Sequence, residues 1–462
     1  MREYLGADRI EGPLLVLEGC GHAAYGELVE VRTPLGHKLG QVLVAADSMA
    51  IVELWGESAG LNPRDVTVRF SGRPLQIGVA REMLGRVFDG LGRPRDGLPA
   101  PAAEAWLDVH GAPLNPAART YPRHVIETGL SAIDGLNTLV RGQKLAIFSG
   151  SGLPHNELAA QVAVQSQVTE EGATLAVVFA ALGVSHDTAA FFREAFASSG
   201  YLPRTALFLN LADDPPMERL ITPRLALTLA EFLAFEKGCH VLALLTDMTN
   251  YAEALRELST RRSEVPGRKG YPGYLYTDLA TVYERCGVAH GRDGSLTLIP
   301  VLSMPADDLT HPVPDLTGYI TEGQIVLSRH LHRENVYPPI DVLPSLSRLM
   351  KDGIGQGRTR ADHAALASQL YQAYARVQDV RALAVIVGEA ALGQSDRAYL
   401  AFGRAFERDF IAQDAGESRA IDATLDLGWR VLALLPEDEL SRLGDAERQR
   451  IDAARRAQAV RR

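Results

Sequence analysis

The sequence predicts a multidomain fold: an N-terminal β-barrel over residues 1–75, a central α/β domain over 76–358 and a C-terminal all-α helical bundle over 359–462. Three observations predict it. Short β-rich runs crowd the first 75 residues, apolar strands alternate with helix-length segments through the middle, and helical periodicity without strand signal fills the end. At 462 residues the chain has room for about three domains.

In the first part, PLLVLEG, HAAYGELVEVRT, KLGQVLVAADSMAIVELW and VTVRF are β-rich runs broken by glycine, proline and charged turns. Short strands at that spacing are the pattern of a small barrel. GRVFDGLGRPRDGLPAPAA, from Gly85 to Ala103, is turn chemistry and reads as the join to the next domain. From about residue 125, KLAIFS (144–149), TLAVVFAAL (174–182), TALFLNL (205–211) and HVLALLT (240–246) are strands. Helical spacing over 217–237 and 276–285 separates and follows them, which indicates a largely parallel sheet covered on both faces. Ligands of such sheets bind beyond the carboxyl ends of the strands. Beyond about Thr359, DHAALASQLYQAYARV, DVRALAVIVGEAAL, DRAYLAFGRAFERDFIAQ and the stretch around TLDLGWRVLALL read as amphipathic helices. The charged end, DAERQRIDAARRAQAVRR, is expected to fray.

Composition narrows the function. A net charge of -10 argues against nucleic acid as the main partner, because phosphate binding needs concentrated Lys and Arg. Cys20, Cys239 and Cys286 lie far apart with no CxxC pair, so they read as reduced cytoplasmic thiols, not a disulfide framework or a zinc site. No metal site is expected within the chain. No apolar run approaches the ~20 residues that span a bilayer, and the first residues lack the apolar stretch of a signal peptide. Any membrane association is therefore expected to run through other subunits.

The informative segment is KLAIFSGSGLPHNELAAQVAVQ, Lys144 to Gln165. It has the layout of a phosphate loop: apolar strand, glycine-rich turn, helix. A working loop follows G-x-x-x-x-G-K-[ST], whose backbone amides cradle phosphates, whose lysine reaches the β and γ groups and whose hydroxyl holds magnesium. The matching positions here are Ser149, Gly150, Ser151, Gly152, Leu153, Pro154, His155 and Asn156. Proline stands where a glycine amide would donate, and it has no N–H. Histidine replaces the lysine; it is shorter and is not a permanent cation. Asparagine replaces the hydroxyl. Lys144 precedes the strand and cannot fold back into the loop.

A second part is missing at the end of the next strand, where hydrolysing relatives need a carboxylate to orient water. The sequence there is Val184-Ser185-His186, and Asp187 is the first acid, placed in the following helix. Asp247 does end a strand, as a Walker B magnesium ligand would. A helix cap or loop anchor explains an aspartate there equally well.

With these residues in view, the chain resembles the non-catalytic B (beta) subunits of V/A-type ATP synthases over almost its full length. PPIDVLPSLS (338–347) fits the signature of rotary ATPase α/β-type subunits. GRVFDGLGRPRDG (85–97), ETGLSAIDGLNTLVRGQKLAIFSGSGLP (127–154), LTDMTNYAEALRE (245–257), PGRKGYPGYLYTDLATVYER (266–285) and PDLTGYITEGQI (314–325) look like blocks of that family.

The resemblance implies a RecA-like centre with a degenerate phosphate loop. It also implies three copies alternating with three catalytic A subunits around a central shaft, a peripheral stalk, and a head on the cytoplasmic face of the membrane. No tightly bound cofactor is expected in this chain; ATP or ADP with magnesium is expected at the joint with the A subunit. Arg348, directly after the signature, is implied as the interfacial arginine that reaches the γ-phosphate held by that subunit. Tyr319 aligns with a second interfacial position, although a tyrosine packed on core apolar groups is the plainer reading. Arg262, like Arg268 and Lys269 beside PGRKGYPG, either lines that interface or is a solvated loop charge. The rival reading is a self-sufficient RecA-like motor ATPase of a secretion or nucleic-acid-translocating class, which would hydrolyse ATP on its own.

Overall fold

The structure, a computed structural model, describes residues 2–34, 36–56, 58, 60–169 and 173–460. They form two compact units: Met1–Leu114, Val177–Lys237 and Leu245–Arg285 in one, and Asn115–Ala176, Gly238–Leu244 and Cys286–Arg462 in the other.

The first unit begins with an antiparallel half-barrel. Its strands lie in the order Arg2–Leu5, Thr67–Pro74, Glu27–Thr33, Gly36–Ala45, Met49–Leu54, Leu14–Glu18 and Arg9–Glu11. The alternation of branched apolar and polar residues sets the register. Val29 faces Phe70, Val31 faces Val68 and Val42 faces Val52, and these residues with Leu15, Leu17 and Leu54 make a buried core. Gly40 belongs to this packing because a Cβ there would stand 2.7 Å from Glu53 O. The α/β part of the same unit holds the parallel strands Leu175–Val184, Thr205–Leu211 and Val87–Asp89. Phe192 and Phe196, on the helix His186–Ser198, pack on Phe179 with ring centroids 4.7 and 5.3 Å apart.

In the second unit Ala146–Gly150 lies between the parallel strands Ser295–Met304 and Gly323–Leu327. Ile340–Ser347 pairs antiparallel with Gly323–Leu327, so the central sheet is mixed. The helical region contains His363–Val387, Gln394–Ala405, Ile421–Leu432 and Asp445–Val460. The first two expected helices are largely one, because no proline or glycine interrupts the chain between His363 and Val387. The last expectation also changes. Asp445–Val460 is helical where fraying was expected: Ile451 is 2% exposed and Arg455 Nη2 donates to Leu435 O at 2.8 Å. Residues 461 and 462 of that segment lie outside the described residues. Among the described residues no helix is long and apolar enough to cross a membrane.

Candidate functional site

The buried strand Ala146–Gly150 delivers the loop and the helix His155–Gln165 leaves it. Between them the backbone closes on itself. Leu153 N donates to Gly150 O at 3.1 Å and His155 N donates to Leu153 O at 2.8 Å, while Pro154 has no N–H. Three successive positions that would line a phosphate cradle thus have no free amide to give. The imidazole of His155 also turns back: Nδ1 lies 3.0 Å from Leu153 O and 3.2 Å from Ser149 Oγ. Leu153 is buried, whereas Ser151 and Gly152 are exposed.

Two side chains that carry no sequence signal of a phosphate motif complete the surroundings. Arg329 reaches the loop through Nη2 to Ser151 O at 2.9 Å and is paired with Asp307, Nε to Oδ2 at 2.8 Å. A triphosphate with its magnesium fits these residues poorly: the amides of Leu153 and His155 are used internally, Pro154 has none, and the guanidinium that reaches the loop already has a carboxylate. Among the described residues no group of three or more His, Cys, Asp or Glu side chains could hold a metal ion.

The strand end that would need a catalytic carboxylate is built as a helix start. Ser185 caps His186–Ser198 and its side chain accepts from Thr188 N, while Asp187 is exposed in the first turn. Arg219 packs over Gly183, whose φ is +62°, and donates from Nε to Asn210 Oδ1 at 3.0 Å. Asp247 is 7% exposed and caps the helix Met248–Arg261, accepting from Thr249 N at 2.8 Å. Its backbone position ends the strand as the sequence indicates, and capping accounts for one carboxylate oxygen.

Arg348 follows the strand Ile340–Ser347. Its N donates to Glu322 O at 2.9 Å and Nη1 donates to Thr321 O at 3.3 Å. The residue is exposed, and among the described residues it makes no ion pair. Its base is firm. Ser347 Oγ donates to Thr138 O and accepts from Gln143 Nε2, both at 2.9 Å. Gly323 permits the close approach of the two strands, since a Cβ there would stand 2.1 Å from Leu346 O. Tyr319, on the helix Pro312–Ile320, is 74% exposed, so the core-packing reading of this ring does not hold. Arg262 is not a solvated loop charge either. Its guanidinium binds the fully buried Glu53, Nε to Oε1 at 2.8 Å and Nη2 to Oε2 at 2.5 Å.

Comparison with known proteins gives the family. Residues 129–347 match the ATP synthase alpha/beta family, nucleotide-binding domain, and residues 352–451 match the C-terminal domain of V and A type ATP synthase. The chain is 57% identical over 441 residues to the B subunit of the A-type ATP synthase of Aeropyrum pernix, covering 95% of each. Among solved structures it is similar to the ATP synthase subunit NeqB from Nanoarcheaum equitans, with 41% identity and a TM-score of 0.73 over 92% of this chain and 100% of that one. The half-barrel, α/β and helical parts therefore belong to a chain of known kind. This protein is a member of the family of A-type ATP synthase B subunits.

Proposed function

We propose that this chain is the non-hydrolysing subunit of the rotary head and completes the catalytic sites of neighbouring A subunits with Arg348. The observation that carries the reading is the contrast between two arginines. Arg329 is occupied at a loop whose positions 153–155 have no free amide to offer, whereas Arg348 is exposed and, among the described residues, its side chain meets only a carbonyl. In phosphoryl transfer, charge spreads over the equatorial oxygens, and a planar guanidinium stabilises it through paired hydrogen bonds. Such a group supplied in trans contributes about 10³–10⁵ in rate.

In this reading three copies alternate with three A subunits, ATP or ADP with magnesium sits at the joints between the two kinds of subunit, and Tyr319 borders the joint. The helical region faces the central shaft. Leu383, Val385, Ile386 and Val387, at the end of the helix His363–Val387, support this because they are apolar and 40%, 87%, 81% and 47% exposed. Ligand-dependent packing of this chain against the catalytic one couples hydrolysis or synthesis to shaft rotation and to proton or sodium transport. The peripheral stalk and the membrane sector join through other subunits.

The test is Arg348→Ala and Arg348→Lys in rings assembled with the catalytic subunit. Turnover falls at least about tenfold with ring assembly intact. Unchanged turnover in both variants sinks the assignment, and brisk Mg-dependent ATP hydrolysis by the isolated chain sustains the self-sufficient motor instead.

A further inference from the structure

We infer that Lys144 is a positioning residue: it holds the carboxylate of Glu322 and so keeps Arg348 free for the neighbouring catalytic site. The inference rests on the role of Arg348 proposed above. Arg348 is bound to the segment that contains Glu322 twice, through its own N to Glu322 O and through Nη1 to Thr321 O. A guanidinium fastened so near a carboxylate ordinarily takes it as a bidentate partner, since charge-assisted paired bonds are the strong ones. Here it does not.

Both oxygens of Glu322 are turned to Lys144 instead. Oε1 lies 2.6 Å from Lys144 Nζ and Oε2 accepts from Lys144 N at 2.7 Å. The lysine side chain is 2% exposed and that of Glu322 31%. A buried ammonium is costly to leave without an anion, so it keeps its carboxylate against a solvated competitor. Gln143 strengthens the hold, because its Nε2 donates to Glu322 O at 3.2 Å and to Ser347 Oγ at 2.9 Å. The pair Gln143–Lys144 thus grips the main chain and the side chain of Glu322, and Gln143 also binds Ser347, the residue before the finger. Lys144, which precedes the strand leading into the degenerate loop, has a task at the end of that strand away from the loop.

The consequence is an exchange of partners. Without the ammonium, the freed carboxylate pairs with Arg348 and the catalytic site loses its guanidinium; without the carboxylate as well, Arg348 is free again. The experiment uses rings of this chain with its catalytic subunit and four variants: Lys144→Met, Glu322→Gln, the double variant and Arg348→Ala. Lys144→Met lowers kcat about tenfold with KM within about twofold, as expected for an interaction made in the transition state. Glu322→Gln and the double variant stay within about threefold of the parent, so the second substitution rescues the first.

A double variant as slow as Lys144→Met, or a Glu322→Gln variant that itself loses tenfold, overturns the inference. If Lys144→Met does not assemble, the double variant, which carries no lone carboxylate, decides by the same threshold. Arg348→Ala separates the two levels. If it costs nothing, the finger assignment fails; if it is slow while Lys144→Met is normal, only the role of Lys144 fails.

Discussion

Arg329 holds Asp307 and Ser151 at once: its Nε is 2.8 Å from Asp307 Oδ2, and its Nη2 donates to Asp307 Oδ1 and to Ser151 O, each at 2.9 Å. The carboxylate lies so close to the loop that a Cβ on Gly150 would stand 2.0 Å from Asp307 Oδ1. Ala306 and Asp307 both have left-handed φ, 57° and 56°, which non-glycine residues adopt at some cost. An internal ion pair thus fastens the loop where a working site would use a bound anion. Arg329→Ala should raise amide hydrogen exchange across 149–156 while global stability changes little, because the pair is solvated. Unchanged exchange in that segment would mean that Pro154 and the buried Leu153 hold the loop alone.

The Glu53–Arg262 pair behaves differently because Glu53 is fully buried. Arg262→Met strands a carboxylate inside the first unit and should cost about 3–5 kcal/mol in denaturant unfolding. Adding Glu53→Gln removes the lone charge and should recover a large part of the loss. A single variant that costs less than about 1 kcal/mol would place the pair among solvated surface bridges.

Burial, reinforced by Asp214, raises the carboxyl of Glu218 from 4.5 to about 7. For an acid raised on folding, the native state holds a proton that the unfolded chain has already released. Its favourable contribution is therefore complete below about pH 4.5 and disappears as pH climbs through about 7. The amino end of the helix Pro216–Glu231 favours the anion and offsets part of this. Glu218→Gln should flatten the decline in stability between pH 5 and 8 and, because solvent screens this half-buried carboxyl, gain only about 1 kcal/mol at pH 8. Urea titrations at both pH values measure it, and a parallel pH dependence in parent and variant would contradict it.

The strands at 205–211 and 240–246 were legible because continuous branched apolar runs bounded by turn residues have few other solutions. The degenerate loop was legible because proline, histidine and asparagine fall on positions where each removes a different contact. Ser295–Met304, Gly323–Leu327 and Ile340–Ser347 do not stand out as strands in the sequence. All three are short or proline-bearing, and only pairing with distant segments reveals them. The same reason hides Asp307, Arg329 and Glu322. Their partners lie 22 residues away for the first two and 178 for the third, and no periodicity encodes a contact at that separation. Tyr319 and Arg262 reverse their plain readings for a matching reason: exposure and pairing are set by tertiary neighbours, not by the residue type.

The backbone bonds of the loop lead to one more prediction, on what restoring a nucleotide site would require. Returning the fixed cation and the hydroxyl with His155→Lys and Asn156→Thr supplies two of the three lost contacts. Yet Leu153 N and His155 N would still donate to Gly150 O and Leu153 O, and Pro154 would still lack an N–H. Those amides are the part of a phosphate cradle that no side chain replaces. The double variant should therefore bind MgADP no better than the parent in calorimetry. Adding Pro154→Gly frees the turn to flip its amides outward and should improve affinity at least about tenfold, or roughly 1.4 kcal/mol. Tight binding by the double variant with Pro154 retained would show that the missing charge, not the folded-back amides, is what closes the loop to nucleotide.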